Sequence, residues 1–269
     1  MSTTTAPPLR IAPNPWFRRR SWRVVERNAL AYRRMWPIFL SGLAEPILFL
    51  LSIGIGVGKL VGTVKVGPHV VDYRTFVAPG LLASSAMNGS LLDTTFNFFA
   101  KMKWSHTYDA VLATPLAPPD VASGEMRWAL MRGGIYSGAF LFTMFLFGDT
   151  LSAWSILALP AAVLIGFGFA GVGLAATTYM RSFVDFDYVN MAIIPLFLFS
   201  GTFFPVTRYP AGVQAIVRCT PLYQGVALER SLVVGDIHWT LLVNAAYLFV
   251  MGFIGVRIAA RRIGLLLQP

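Results

Sequence analysis

The sequence predicts an all-α integral membrane protein: six transmembrane helices, an N-terminal amphipathic interfacial helix, a short helix in a cytoplasmic loop and external re-entrant helices. Three observations predict it. Of 269 residues, 56% are hydrophobic and 13% charged, where a soluble domain has about a quarter charged. The apolar residues gather in six stretches, each near the roughly 20 residues that cross about 30 Å of hydrocarbon. The basic residues fall mostly on one set of the intervening loops. This composition excludes a disordered, collagenous or nucleic-acid-binding chain.

Residues 1–15, rich in Thr and Pro, lack the apolar core of a secretory signal and read as a disordered cytoplasmic tail. Residues 16–36 read as an amphipathic helix. Phe17, Trp22, Val24, Val25, Ala29, Tyr32, Met35 and Trp36 share one side; Arg19, Arg20, Arg23, Glu26, Arg27, Arg33 and Arg34 share the other, with Arg18 and Leu30 out of pattern. A basic, aromatic-bearing helix of this kind lies in the headgroup plane; the alternative is a solvated charged helix. The spans are placed at 37–59, 76–99, 129–148, 154–179, 187–205 and 239–258, making a domain of 37–258, and 259–269 is left as a cytoplasmic C-terminal tail. An even number of crossings puts both termini on one side. Lys59, Lys65, Arg74, Arg208, Arg218 and Arg230 fall on one set of loops and the other sixteen of the 22 basic residues on the opposite set. The positive-inside rule assigns the larger group, and both termini, to the cytoplasmic side of the plasma membrane. The net charge of +10 then marks a flank facing anionic lipid.

Two connections are longer than turns. The cytoplasmic one, 100–128, holds a short helix from Ser105 to Ala113 followed by Pro115, Pro118 and Pro119. The external one, 205–238, resembles short helices dipping back toward the membrane, where their backbone needs shielding.

Motifs that carry chemistry elsewhere fail here. The run from Gly54 to Leu60, GIGVGKL, has Ile53 and Leu60 where a phosphate loop needs a glycine and a hydroxyl. Gly166 to Gly171 fits G-x-G-x-x-G, but inside an apolar helix with no strand before it. Gly54 with Gly58, and Gly134 with Gly138, have the spacing of closely packed membrane helices. Asp185 and Asp187 lack a third ligand nearby, and Asp187 suits a helix start. His69, His106 and His238 are scattered, and Cys219 alone makes neither an internal disulfide nor a zinc site. No catalytic, cofactor-binding or metal residue is assigned.

Glu45 and Asp93 lie roughly 9–12 Å from the cytoplasmic ends of their spans at 1.5 Å per residue. A charged carboxylate at that depth costs several kcal/mol unless it meets a cavity or a partner. They either line a transport path or anchor packing, bonded to Asn88, Asn97 or a neighbouring basic residue. Phe96, Phe98, Phe99, Phe197, Phe199, Phe203 and Phe204 either wall such a path or pack ordinarily. The candidate path set is Glu45, Asn88, Asp93, Phe197, Phe203 and Phe204.

Seven stretches occur in order: Tyr73 to Gly80 (YRTFVAPG), Tyr108 to Leu116 (YDAVLATPL), Gly124-Glu125, Pro195, Ser200 to Pro205 (SGTFFP), Thr220 to Tyr223 (TPLY) and Glu229-Arg230. Together they resemble the permease subunits of type-2 ABC exporters, and among those the lipooligosaccharide (nodulation-factor) exporter permeases. The resemblance implies a six-helix half-transporter that dimerises and works with two copies of a separate ATPase subunit, on which ATP and magnesium are expected. By that resemblance this chain is no enzyme and binds no cofactor. A coupling helix that docks on the ATPase is implied around Lys103, Trp104, Tyr108, Asp109, Leu112, Thr114 and Pro115. The resemblance makes Arg19, Arg20, Arg23, Glu26 and Arg27 part of the family's interfacial helix and Ser200 to Pro205 an outer gate. The implied cargo is an amphipathic lipid-linked, glycolipid or hydrophobic molecule leaving the cytoplasm. Multidrug or antibiotic efflux is the alternative within the family, and secondary transport would call for internal repeats, which the two halves do not show.

Overall fold

A computed structural model describes residues 21–33 and 36–267, and their side chains except at 36–43, 45, 46, 112 and 267. The expected tail of 1–15, Arg19 and Arg20, and the side chains of Glu45 and Leu112 lie outside the described residues. Helix α1 (Ser21–Arg33) precedes α2 (Trp36–Gly56), a single-turn α3 (Gly58–Val61) and a hairpin of β1 (Thr63–Val66) and β2 (His69–Asp72). Helix α4 (Tyr73–Leu92) continues through two π-helical stretches, Asp93–Asn97 and Ala100–Trp104, to the short α5 (Thr107–Leu112). Then come α6 (Pro118–Leu146), a 3-10 turn (Ala153–Leu157) leading into α7 (Ala158–Thr177), α8 (Asp185–Leu198), α9 (Ala211–Cys219), α10 (Pro221–Val234) and α11 (Thr240–Leu267).

The chain is mostly helical, but not all-α. Antiparallel pairing runs from Thr63↔Asp72 to Val66↔His69, around a turn whose Gly67 has φ +56°. Four-residue strands are too short to show a period-2 pattern beside the long apolar runs, although their β-branched residues favour them. Three of the described helical segments are long and apolar enough to cross a membrane: Pro118–Leu146, Ala153–Thr177 and Thr240–Leu266.

Other boundaries moved for local reasons. Helix α6 begins eleven residues before the expected 129, because Pro118 suits a first turn and the Asp120 carboxylate accepts the Ala117 N–H at 3.1 Å. Helix α8 stops at Leu198 rather than near 205, after Pro195 removes a donor; Gly201 then turns the chain at φ +75°. Its 14 residues cover only about 21 Å. Helix α11 runs on through the expected tail, where Ala259 and Ile263 are fully buried.

The core has two parts. One, around Leu82, Met87, Phe140, Ile165 and Leu222, joins α4, α6, α7 and α10. The other, around Phe98, Tyr108, Met126, Leu174 and Ile263, lies at the α5 end. Phe98 and Phe99 are thus packing residues. The tightest helix crossing is α7 on α11: a Cβ at Gly171 would fall on the Gly252 backbone, and one at Gly255 on the Gly171 backbone. The G-x-G-x-x-G run is therefore a packing surface. Gly54 instead makes room for the Arg74 side chain, while Gly134 and Gly138 would meet Val163 and Leu159 at ordinary distances of 3.4 and 3.6 Å.

Candidate functional site

At the α5 end, α1 docks on α6. A Cβ on Gly124 would stand 2.6 Å from Val24 Cβ and 2.9 Å from Ser21 O, so only glycine admits this approach. The Arg127 guanidinium donates to the Ser21 hydroxyl and lies 5.9 Å from the Trp22 ring centroid. Beside this contact Lys101 Nζ donates to Glu125 Oε2 at 2.7 Å and to Asn28 Oδ1 at 3.2 Å, while Asn28 Nδ2 donates to the same Glu125 oxygen at 3.0 Å. The buried triangle ties α1, the π-helical end of α4 and α6.

A second polar layer lies farther along. Arg132 pairs with Asp93 at 2.8 Å and sits over the rings of Tyr32 and Tyr136 at 5.2 and 5.7 Å. Asn97 Nδ2 donates to Asp93 Oδ1 at 2.6 Å and to the Tyr32 hydroxyl at 3.1 Å. In an α-helix every fourth residue advances about 40° round the axis; the two π turns absorb that drift and keep Asp93, Asn97 and Lys101 facing α1 and α6.

The loop residues divide by exposure. Lys103, Asp109, Thr114 and Pro115 are exposed, and Asp109 meets His106 Nδ1 at 3.0 Å. Trp104 is 57% exposed and packs edge-on to Phe96 and Phe99 at 6.0 and 6.1 Å. Tyr108 differs: 1% exposed, it lies 5.1 Å from the Phe98 ring. It faces the core, and burial beside Glu125 pushes its phenol well above the ordinary range. His106, at φ 45°, turns the chain between the π-helical end and α5. On α1, Arg23 and Glu26 form an exposed pair at 2.9 Å, Arg27 is half-buried, and the buried stripe is Ser21, Val24, Val25 and Asn28.

At the hairpin end three of the sequence stretches converge. The Tyr73 hydroxyl donates to Phe203 O at 3.2 Å, and a Cβ on Gly80 would meet Thr202 Cγ2 at 2.8 Å. Arg230 donates to Gly201 O at 2.8 Å and to Phe76 O at 3.3 Å, with its guanidinium 3.9 Å from the Phe76 ring centroid. Next to it Glu229 is fully buried, and neither oxygen has a hydrogen-bond partner among the described residues. Arg74 and Thr75 both reach Asp149, at 3.0 and 2.9 Å, fastening the start of α4 to the end of α6.

The candidate path residues do not meet in one place. Phe197 and Phe203 pack together at 5.1 Å and Phe204 is 51% exposed, near the hairpin end. Asp93 lies 17 residues beyond Phe76 on the same continuous helix, roughly 25 Å away, and is taken up by its ion pair. Asn88 is half-buried on α4, and it is Asn97 rather than Asn88 that bonds Asp93. Asp185 accepts the N–H groups of Arg181 and Ser182 at 2.7 and 3.1 Å. Among the described residues no three metal-ligating side chains cluster.

Sequence reasoning did not assign Asn28, Lys101, Glu125, Arg132 or Asp149. Their common signal is a polar group beside an apolar run, which names no partner. Gly124→Ala should loosen α1 from α6 by about 1–3 kcal/mol, the usual range for overpacking. A lower melting temperature, with no matching loss for Gly56→Ala, where a Cβ meets nothing within 4 Å, would check this.

Residues 20–232 match the family model described as ABC-2 type transporter. Nodulation protein J of Rhizobium leguminosarum bv. viciae is 31% identical over 217 residues, 80% of this chain and 81% of that protein. Nodulation protein J of Rhizobium meliloti (strain 1021) is 30% identical over 248 residues, covering 90% and 92%. That of Neorhizobium galegae is 31% identical over 252 residues, also covering 90% and 92%.

Proposed function

Because the chain belongs to the ABC-2 type transporter family, we propose that it is the permease subunit of an ATP-driven exporter working with a separate ATPase. On this reading α2, α4 with its π-helical extension, α6, α7, α8 and α11 are the six spans, α5 faces the cytoplasm, and two copies form the pore. The cargo is an amphipathic lipid-linked or glycolipid molecule, in keeping with the resemblance to lipooligosaccharide exporter permeases; a drug-like cargo would make it an efflux permease instead.

The observation that carries this reading is the mechanical continuity of the α5 end. Lys103, Asp109, Thr114 and Pro115 are exposed, while Tyr108 and Lys101 anchor the same stretch in the core. Movement of a partner against the exposed side passes through that anchor to α1, α4 and α6. Such coupling between sites is typically worth about 5–150-fold. In proteoliposomes holding this chain and its ATPase, Asp109→Arg should lower cargo moved per ATP hydrolysed within that range, with the melting temperature unchanged. Undiminished coupling would remove α5 from the docking site.

A further inference from the structure

Between α7 and α8 runs a groove of about 660 Å³, within the roughly 300–1,000 Å³ of small-molecule sites. Val189, Ala192 and Leu196 of α8 face Val172 and Ala176 of α7, and Thr95 of the first π turn lies along it. The lining carries two charged side chains, Arg181 and Asp185, both at one end. Asp185 accepts backbone N–H groups and feels the nearby Arg181 charge, but the two form no salt bridge within 4.0 Å, so the Arg181 guanidinium keeps its donors for another anion. Arg262 adds a second cation there, 4.0 Å from the ring centroid of Tyr179, itself a lining residue. The groove is thus apolar along its length and electropositive at its mouth.

Its length, apolar walls and charged mouth point to the occupant. From Asp185 to Leu196, α8 rises about 16 Å, half of the roughly 30 Å hydrocarbon layer, which is the reach of one acyl chain within a single leaflet. The cations Arg181 and Arg262 stand at one end of that apolar length, where such a chain would carry an anionic headgroup. We propose that this groove holds one acyl chain of an anionic phospholipid from the cytoplasmic leaflet, with the headgroup phosphate at Arg181. One anionic lipid at this place would set how α8, of which only Phe186 is buried among the described residues, sits against α7.

The test uses the full chain in nanodiscs, with no ATPase and no cargo, so it stands apart from the exporter reading. The probes are phosphatidylglycerol and phosphatidylcholine bearing a diazirine on one acyl chain, with the cross-linked peptides mapped by mass spectrometry. Phosphatidylglycerol should label 172–176 and 189–196 about five-fold more than phosphatidylcholine, the effect of one basic residue near an anionic lipid. Arg181→Glu should bring the two lipids level, and Ala192→Trp, which fills the groove, should remove labelling there but not on α11. Equal labelling by the two lipids in the wild-type chain overturns the proposal, as does unchanged preference in Arg181→Glu. So would disulfide-linked dimers through Ala192→Cys in a Cys219→Ser background, because a second copy would then cover the groove.

Discussion

Glu125→Ala should release α1 from the rest of the molecule and uncouple transport. The substitution leaves Lys101, whose side chain is 16% exposed, without its carboxylate, and takes the acceptor from Asn28. Breaking a buried pair from one side costs about 3–5 kcal/mol, because the remaining charge is left uncompensated. Lys101→Ala should cost a similar amount by exposing Glu125 to the same fate. The double variant Lys101→Met/Glu125→Leu should recover most of the stability, since apolar side chains of similar size remove both charges together. Unfolding free energies of the wild-type chain, Lys101→Met, Glu125→Leu and the double variant close the cycle that gives the coupling energy. Transport should not recover with stability in the double variant if the triangle sets the orientation of α1 rather than merely holding it.

Gly255→Leu should break the α7–α11 crossing. Overpacking of a core usually costs about 1–3 kcal/mol because side chains shift. Here the obstructing atoms are the backbone of Gly171 and Val172, which have no rotamer to change. The expected loss is at or above the top of that range, and the yield of monodisperse protein should fall with it. Gly264→Leu on the same helix meets nothing within 4 Å and serves as the control. Equal losses from both would mean that the crossing is not close.

Much of this architecture is legible in the sequence because lipid imposes length and apolarity on each span, which leaves a long, strong pattern. The long helices α6, α7 and α11 were found for that reason. The hairpin was not, since strands of four residues leave no period to read. The end of α8 was missed because the apolar run continues through Phe203 and Phe204 after the helix has stopped. The α5 loop was legible as a helix closed by prolines, but the inward face of Tyr108 was not, because its burial depends on Phe98 from another element. The same holds for the polar triangle: Asn28, Lys101 and Glu125 are separated by 73 and 24 residues, and nothing local to any one of them announces the other two. The convergence of Phe76, Gly201 and Arg230 was foreshadowed only by stretches that resemble a family.

Site-directed cross-linking tests the central claim most directly. In a Cys219→Ser background, Asp109→Cys on the α5 loop and Val70→Cys on the hairpin are each treated with a short bifunctional thiol reagent in inverted membrane vesicles containing the ATPase subunit. The account predicts that position 109 joins to the ATPase and is protected from it by nothing else on this chain, while position 70 gives no such product and is labelled only from the opposite side of the membrane. Cross-linking of position 70 to the ATPase, with position 109 reacting only from the side of the membrane opposite the ATPase, would contradict both the orientation and the docking site.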